Sequence, residues 1–302
     1  MRTWNKTLDI AGINSLQLRH DYTQQRSLVA GYRRHTYVAI RLLLPPVLVP
    51  HVVAAVAFMH HTDTLLDATP MPSPADDAYA EWEEEVRRGL TTGESAHPVL
   101  RPVLHTIAEY PQLREHVEQF LAGAPMDRSF TGFADEADYQ HYVDAYSLPA
   151  FMLVACLLLA PDADAAEVRR SCRSYIDGSQ RLDFVCDLAE DLAEGRLGLP
   201  ERTLKEHDVS REDLESGRDT PGARRLLREA LGQARQDLGN SRKLVAFVPP
   251  EHRAFIRAFV SLEILTADAV IAKGTEILRN SARPSVPDAL RVLACEYYRR
   301  GA

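Results

Sequence analysis

Cysteine is sparse and scattered: Cys156, Cys172, Cys186 and Cys295 lie far apart and form no CxxC pair. That spacing argues against a disulfide framework or a zinc site and fits a reducing compartment, the cytoplasm. A surplus of basic charge is also missing. The 302 residues carry 35 Lys and Arg against 43 Asp and Glu, a formal charge of −8 with a pI near 5.8. A general nucleic-acid binder or a polybasic membrane-surface protein shows the opposite balance, although local arginine clusters can still form an anion site. Met1-Arg2-Thr3-Trp4-Asn5-Lys6 leads into polar sequence with no apolar stretch behind it, so no signal peptide is expected. The apolar run Leu148 to Ala160 is too short to span a bilayer, contains Pro149, and reads as a buried core helix. Internal repeats and long low-complexity segments are absent.

What is there is helical pattern. The composition is that of a globular protein, 45% hydrophobic and 26% charged, and long enough to enclose a sizeable core. Apolar residues recur at helical spacing near 17–43, 47–68, 75–90, 98–123, 135–160, 165–195, 221–240, 250–279 and 286–299, while strand alternation is hard to find. Pro45-Pro46, Pro161, Pro200 and Pro249-Pro250 punctuate these segments, because proline lacks the N–H that a helix interior needs. The polar stretch His207 to Gly222 reads as a solvated loop, or a short helix flanked by loops. Too few helices follow it to build a second core, so residues 1–302 are expected to form one all-α domain.

Two segments carry acids in apolar surroundings. In Ala57-Phe58-Met59-His60-His61-Thr62-Asp63-Thr64-Leu65-Leu66-Asp67, Asp63 and Asp67 share one helix face. Two like charges so placed repel and need a cation. In Gln180-Arg181-Leu182-Asp183-Phe184-Val185-Cys186-Asp187-Leu188-Ala189-Glu190-Asp191, the residues Asp183, Asp187 and Asp191 form an i, i+4, i+8 stripe. A carboxylate stripe beside apolar surface is costly unless its charge is offset. Mg²⁺ suits such a place, since it binds through a few carboxylates plus substrate phosphates. Facing acidic helices can clamp a diphosphate through Mg²⁺, while apolar helices hold a hydrocarbon chain and keep water from an allylic cation. A lone aspartate pair is commonplace on solvated helices, and spacing alone leaves both readings open.

At these segments the chain resembles the squalene/phytoene synthase family. That family has an aromatic-rich helix ending in a DxxxD-type motif. A Gln-x-x-Asn-x-x-Arg-Asp-x-x-Glu-Asp helix and a Gly-Arg-x-Tyr-Leu-Pro tail follow. The matching stretches are Phe58 to Asp67, Gln180 to Asp191, and Gly195-Arg196-Leu197-Gly198-Leu199-Pro200. Weaker echoes are Thr36-Tyr37, Leu43-Leu44-Pro45, Gly123 with Met126-Asp127, and Gly274 ahead of Arg279. The resemblance implies an isoprenoid-synthase-like helical bundle around a central apolar cavity. It implies Mg²⁺ as cofactor, with Asp63, Asp67, Asp183, Asp187 and Asp191 as metal ligands or supporting acids, Asp183 standing where the family has Asn. Thr36, with Arg33 and Arg34, is then placed near the diphosphate of an allylic prenyl substrate. His60, Tyr146 and Gln180 fall among the substrate-binding candidates, and Asp63, Asp187 and Tyr142 among the catalytic ones. Tyr139, Tyr142, Tyr146, His60 and His61 are candidates for the base, and each can equally be a packed aromatic or a satisfied helix-face residue.

The departures from the family pattern carry their own implication. Val56-Ala57-Phe58-Met59-His60 replaces Tyr-x-x-Cys-Arg, and Cys186 replaces an Arg. Ala145-Tyr146-Ser147-Leu148-Pro149 replaces Ala-Gly-x-Val-Gly, and Gly198 replaces a Tyr. In strict register the family's central Tyr falls on Gln140. Two lost arginines weaken the hold on a second diphosphate, and Tyr146 and Pro149 are expected to narrow the cavity. The resulting expectation is transfer of one prenyl group to an aromatic acceptor, as in bacterial natural-product members acting on carbazole-type aromatics. The alternatives are head-to-head condensation of two prenyl diphosphates, terpene cyclisation, and a non-catalytic prenyl-binding protein.

Overall fold

Prolines and polar breaks divide the helical pattern into more pieces than its periodicity shows. The structure, a computed structural model, describes residues 2–32, 34–67, 78–280 and 284–300. Every regular element among them is helical. α1 (Trp4–Ile10) is one the apolar pattern missed; the Thr3 side chain caps it by accepting from the Lys6 N–H. The 17–43 segment holds α2 (Leu16–Tyr32) and α3 (Arg34–Leu43), and α4 (Val49–Asp67) and α5 (Ala78–Thr92) follow. The expected 98–123 helix is two, α6 (Leu100–Glu109) and α7 (Leu113–Arg128). Pro111 is the cause: it pushes Tyr110 out of the helical region, to φ −132° and ψ 78°.

α8 (Glu136–Tyr142) continues through a π-helical turn, Val143–Ser147, into α9 (Leu148–Leu158). Pro149 explains the widened turn. It has no N–H to offer the Ala145 carbonyl four residues back, and the Leu148 N–H reaches Val143 instead. The continuous helix from Glu136 to Leu158 is thus longer than the apolar run alone, and apolar enough by length and composition to cross a membrane. Its most apolar stretch is mostly buried inside the protein, so its apolarity serves the core.

The second acidic segment also divides. α10 (Ala165–Cys186) stops one residue short of Asp187, and α11 (Leu188–Ala193) starts one residue after it. α12 (Glu201–Glu206) and α13 (Arg211–Glu215) are short, the latter held by a Ser210–Asp213 capping box within the polar stretch. α14 (Pro221–Asn240), a 3₁₀ segment Ser241–Phe247, α15 (Arg253–Lys273) and α16 (Val286–Arg299) complete the described chain. α4 is apolar nearly all round, burying Val52, Val53, Ala54, Ala55, Ala57 and Phe58, as a central helix must. α9 packs against both α4 and α10, and α15 packs against α10 and α14.

Candidate active site

Three helices present apolar stripes that end in a carboxylate. On α4 the stripe is Val52, Val56, Met59 and Asp63; on α10 it is Cys172, Tyr175, Ile176, Ser179, Gln180 and Asp183; on α15 it is Phe255, Ile256, Phe259 and Glu263. All of them line one cavity of about 270 Å³. Each stripe spans nine to twelve residues, about 12 to 17 Å of helix. The remaining lining comes from Tyr146 and Ser147 of the π-helical turn, from α9 between Ala150 and Leu158, from Leu159, Leu244 and Val248, and from Tyr32, Thr36 and Ile40. Among the described lining residues there is no Lys, Arg or His.

The π-helical turn joins the two motif helices. Its consecutive residues point to opposite partners: the Tyr146 hydroxyl donates to Asp63 Oδ1 at 2.8 Å, and the Ser147 hydroxyl donates to Gln180 Oε1 at 2.9 Å. Burial first, then the charges of Asp63 and Asp127, raises the Tyr146 pKa well above that of a free phenol, so the group remains a protonated donor. Asp183, Asp187 and Glu263 converge near the Cys186 thiol; burial and then these three charges push it up to about 12.

Other expected site residues lie around this cavity rather than in its lining. Tyr142 donates to Asp127 of α7 and sits among Phe130, Phe133 and Phe184. Tyr139 donates to the Asp177 carboxylate at 2.9 Å, with Arg181 over its ring at 4.1 Å from the centroid. Asp187 is exposed at the α10–α11 junction. Asp191 is buried and turned to Arg196, 3.2 Å away. Burial pushes its carboxyl up to about 6 against the pull of Arg196, and Asp187 adds to the rise. His60 stacks on Tyr32 with ring centroids 3.7 Å apart. His61 lies against Trp82 and His97, and burial lowers it to about 4. Arg34 is exposed, while Thr36 beside it lines the cavity. Arg33 lies outside the described residues, as does the side chain of Asp67, the last residue of α4.

Two residues of the site escaped sequence reasoning. Glu263 belongs to no motif; only its spacing behind Phe255 and Phe259 hints at it. Asp127 was visible as an echo with Met126, but its pairing with Tyr142 was not. Gly198 has a local explanation: a Cβ there would stand 2.2 Å from Cγ of Phe184, whose ring fills the space. Among the described residues no three His, Cys, Asp or Glu side chains converge tightly enough to cage an ion alone. Asp63 and Asp183, reaching one cavity from two helices, instead match an oxygen-binding ion that keeps water and phosphate ligands.

Known proteins share this chain's pattern. Residues 29–289 match the family model described as squalene/phytoene synthase. Phytoene synthase 2, chloroplastic, of Solanum lycopersicum is 22% identical over 287 residues, covering 93% of this chain and 91% of that protein. The bifunctional lycopene cyclase/phytoene synthase of Colletotrichum graminicola is 27% identical over 59% of this chain and 32% of its own length. The bifunctional protein CrtB/UppS of Streptomyces coelicolor is 25% identical over 68% of this chain, and its matched part is 36% of that protein. The match therefore spans about a third of these two relatives. Among solved structures, the squalene synthase HpnC of Alicyclobacillus acidocaldarius superposes with a TM-score of 0.75 at 24% identity, over 90% of this chain and 99% of its own. A dehydrosqualene synthase bound to a ligand gives a TM-score of 0.82 at 16% identity, over 94% and 98% of the two chains. At these identities the superpositions speak for the fold.

Proposed function

We infer that this chain, which belongs to the squalene/phytoene synthase family, ionises an allylic prenyl diphosphate and joins the cation to a second prenyl diphosphate head to head. The observation that carries this reading is the set of apolar stripes ending in acids around one cavity. The printed names of the relatives, phytoene synthase and squalene synthase, support the choice of acceptor.

The residues fit Mg²⁺. Asp63 and Asp183 would hold it, with Asp187 one helical turn beyond Asp183 and Asp67 four residues beyond Asp63 in sequence. When bound, the metal supplies Lewis-acid neutralisation of the departing diphosphate. The chain's own residues do the rest. Tyr146 fixes Asp63 by its hydrogen bond and holds one carboxylate oxygen in place. Ser147 fixes Gln180 in the same way. The side chains from Val52 to Phe259 surround the hydrocarbon and exclude water, which would otherwise quench an allylic cation. The four free cysteines support a reducing cytoplasm as the compartment.

One observation favours a second reading, transfer to an aromatic acceptor. The described lining carries three carboxylates and no cation. Arg181 and Arg196, the arginines of the second motif and its tail, are engaged by Asp177 and Glu136, and by Asp191 and Glu194. A second diphosphate finds little charge to hold it there. Diphosphate release with Mg²⁺ separates the readings, using dimethylallyl, geranyl, farnesyl and geranylgeranyl diphosphates with and without a hydroxylated carbazole. Release from one donor alone with a head-to-head product is the expected result. Release that waits for the acceptor and yields a prenylated aromatic would establish the second reading. A cyclic hydrocarbon would make the protein a cyclase, and no release from any donor would sink all three.

A further inference from the structure

Of the three carboxylates in the described lining, Asp63 and Asp183 belong to the two motif helices, and Glu263 stands by itself on α15. It continues the ridge of Phe255 and Phe259 at four-residue spacing and faces the cavity with them. The duties of an ordinary surface acid do not account for it. It is half-buried, and the positions three and four residues away on its own helix are Phe259, Val260, Thr266 and Ala267. None of these carries a positive charge to pair with it, as acids on exposed helices usually find. α15 packs directly on α10, and Glu263 shares the surroundings of the Cys186 thiol with Asp183 and Asp187. Asp63, on α4, already gives one carboxylate oxygen to the Tyr146 hydroxyl at 2.8 Å.

Charge balance at this end of the cavity asks for more than one ion. A bound diphosphate adds several negative charges to those of the carboxylates, and one divalent cation offsets only two. The described lining has no Lys, Arg or His to make up the difference, and Arg181 and Arg196 are held in ion pairs. A second divalent ion is the general remedy, because two ions can neutralise different oxygens of one phosphoryl group. Mg²⁺ needs little from the protein for this: one or two carboxylates hold it, and water and phosphate complete its shell. Glu263 and Asp183, reaching one cavity from adjacent helices, supply that pair.

We propose that Glu263 is a ligand for a further divalent cation, which it shares with Asp183 and which binds together with the substrate's diphosphate. α15 thereby takes part in ionisation and does more than wall the hydrocarbon. The inference rests on the reading of the cavity as a place where a prenyl diphosphate ionises, and it is the same for either acceptor.

Counting bound ions tests it. Mn²⁺ is titrated into the full chain in the presence of inorganic diphosphate, and electron paramagnetic resonance reads the free ion. The parent should take up more than one ion per chain, and Glu263→Gln one fewer, with unchanged helix content. Glu263→Asp, which keeps the carboxylate, should recover the lost ion at weaker affinity. In diphosphate release, Glu263→Gln should need about tenfold more Mg²⁺ for half its maximal rate, a usual loss when a partner of a bound metal is removed. A parent that holds a single ion overturns the inference, as does a count that Glu263→Gln leaves unchanged. A Glu263→Gln chain that loses every ion overturns it too, since Glu263 would then support the whole site. A parent that holds no ion with diphosphate would bring down the ionisation reading along with the inference, and so tells the two failures apart.

Discussion

His51 of α4 shows what burial does to a titrating side chain. It is 2% exposed, bonds Thr106 Oγ1 through Nδ1 at 3.0 Å and stacks on His105, whose Nδ1 meets the Tyr22 hydroxyl at 3.0 Å. Burial, and then the charge of His105, lowers its pKa from 6.5 to about 4. The unfolded chain therefore takes up protons that the folded chain refuses. His51 contributes stability that is whole above pH 6.5 and lost as the pH falls toward 4. Thermal melts at pH 7 and pH 5 should show a fall in midpoint that shrinks in His51→Gln; an undiminished fall would show that His51 does not drive it. At this scale the sequence is readable where side chains form a motif and silent where they do not. Asp63 and Asp183 could be picked out because acids stood at helical spacing in apolar surroundings, and Gln180 through the family resemblance of its segment. Glu263 could not, because a single acid on a long helix looks like any solvated residue until its neighbours are placed. The bond from Tyr146 to Asp63 joins residues 83 apart in sequence and leaves no local trace.

Among the elements, the π-helical turn does the most to set the site. Its Ala145 carbonyl, deprived of the Pro149 N–H, faces α7 at Gly123, where a Cβ would stand 1.9 Å from the oxygen. Only a Cα hydrogen fits. Gly123→Ala must therefore push α7 off the turn that carries Tyr146 and Ser147. The expected cost is about 1–3 kcal/mol, as for other overpacked contacts. Denaturant unfolding measures it, and a stability within experimental error of the parent would contradict the contact. Proline made this turn partly legible, since Pro149 announces a disturbance, but the widening and its direction depend on α7. The stripe Asp183, Asp187, Asp191 was legible as spacing and misleading as geometry. Backbone hydrogen bonds from Asp187 to Asp183 and from Asp191 to Asp187 keep the helical rhythm. Yet Asp187 takes φ −98° and ψ 5°, and the break lets Asp191 turn to Arg196.

For the whole molecule, the all-α class followed from periodicity, because an apolar stripe that recurs every three to four residues has one economical burial. The packing order of the helices did not follow, since any apolar face can meet any other. Assembly places cavity carboxylates in the last turns of α4 and α10: Asp63 four residues before the end of α4, Asp183 three before the end of α10. A helix C-terminus already carries the negative pole of the backbone dipoles, so acids there oppose the field they sit in. Acids so placed repel one another and the helix poles at the mouth of the cavity, and a divalent cation relieves that repulsion. Mg²⁺ should raise the melting temperature by several degrees at concentrations well above its dissociation constant. Asp63→Asn with Asp183→Asn should melt higher than the parent without metal and lose the response to it. A parent that melts alike with and without Mg²⁺ would leave no repulsion to relieve. Where the metal does raise the melting temperature, the acids of the candidate site are a standing load on the fold, carried until the ligand arrives to share it.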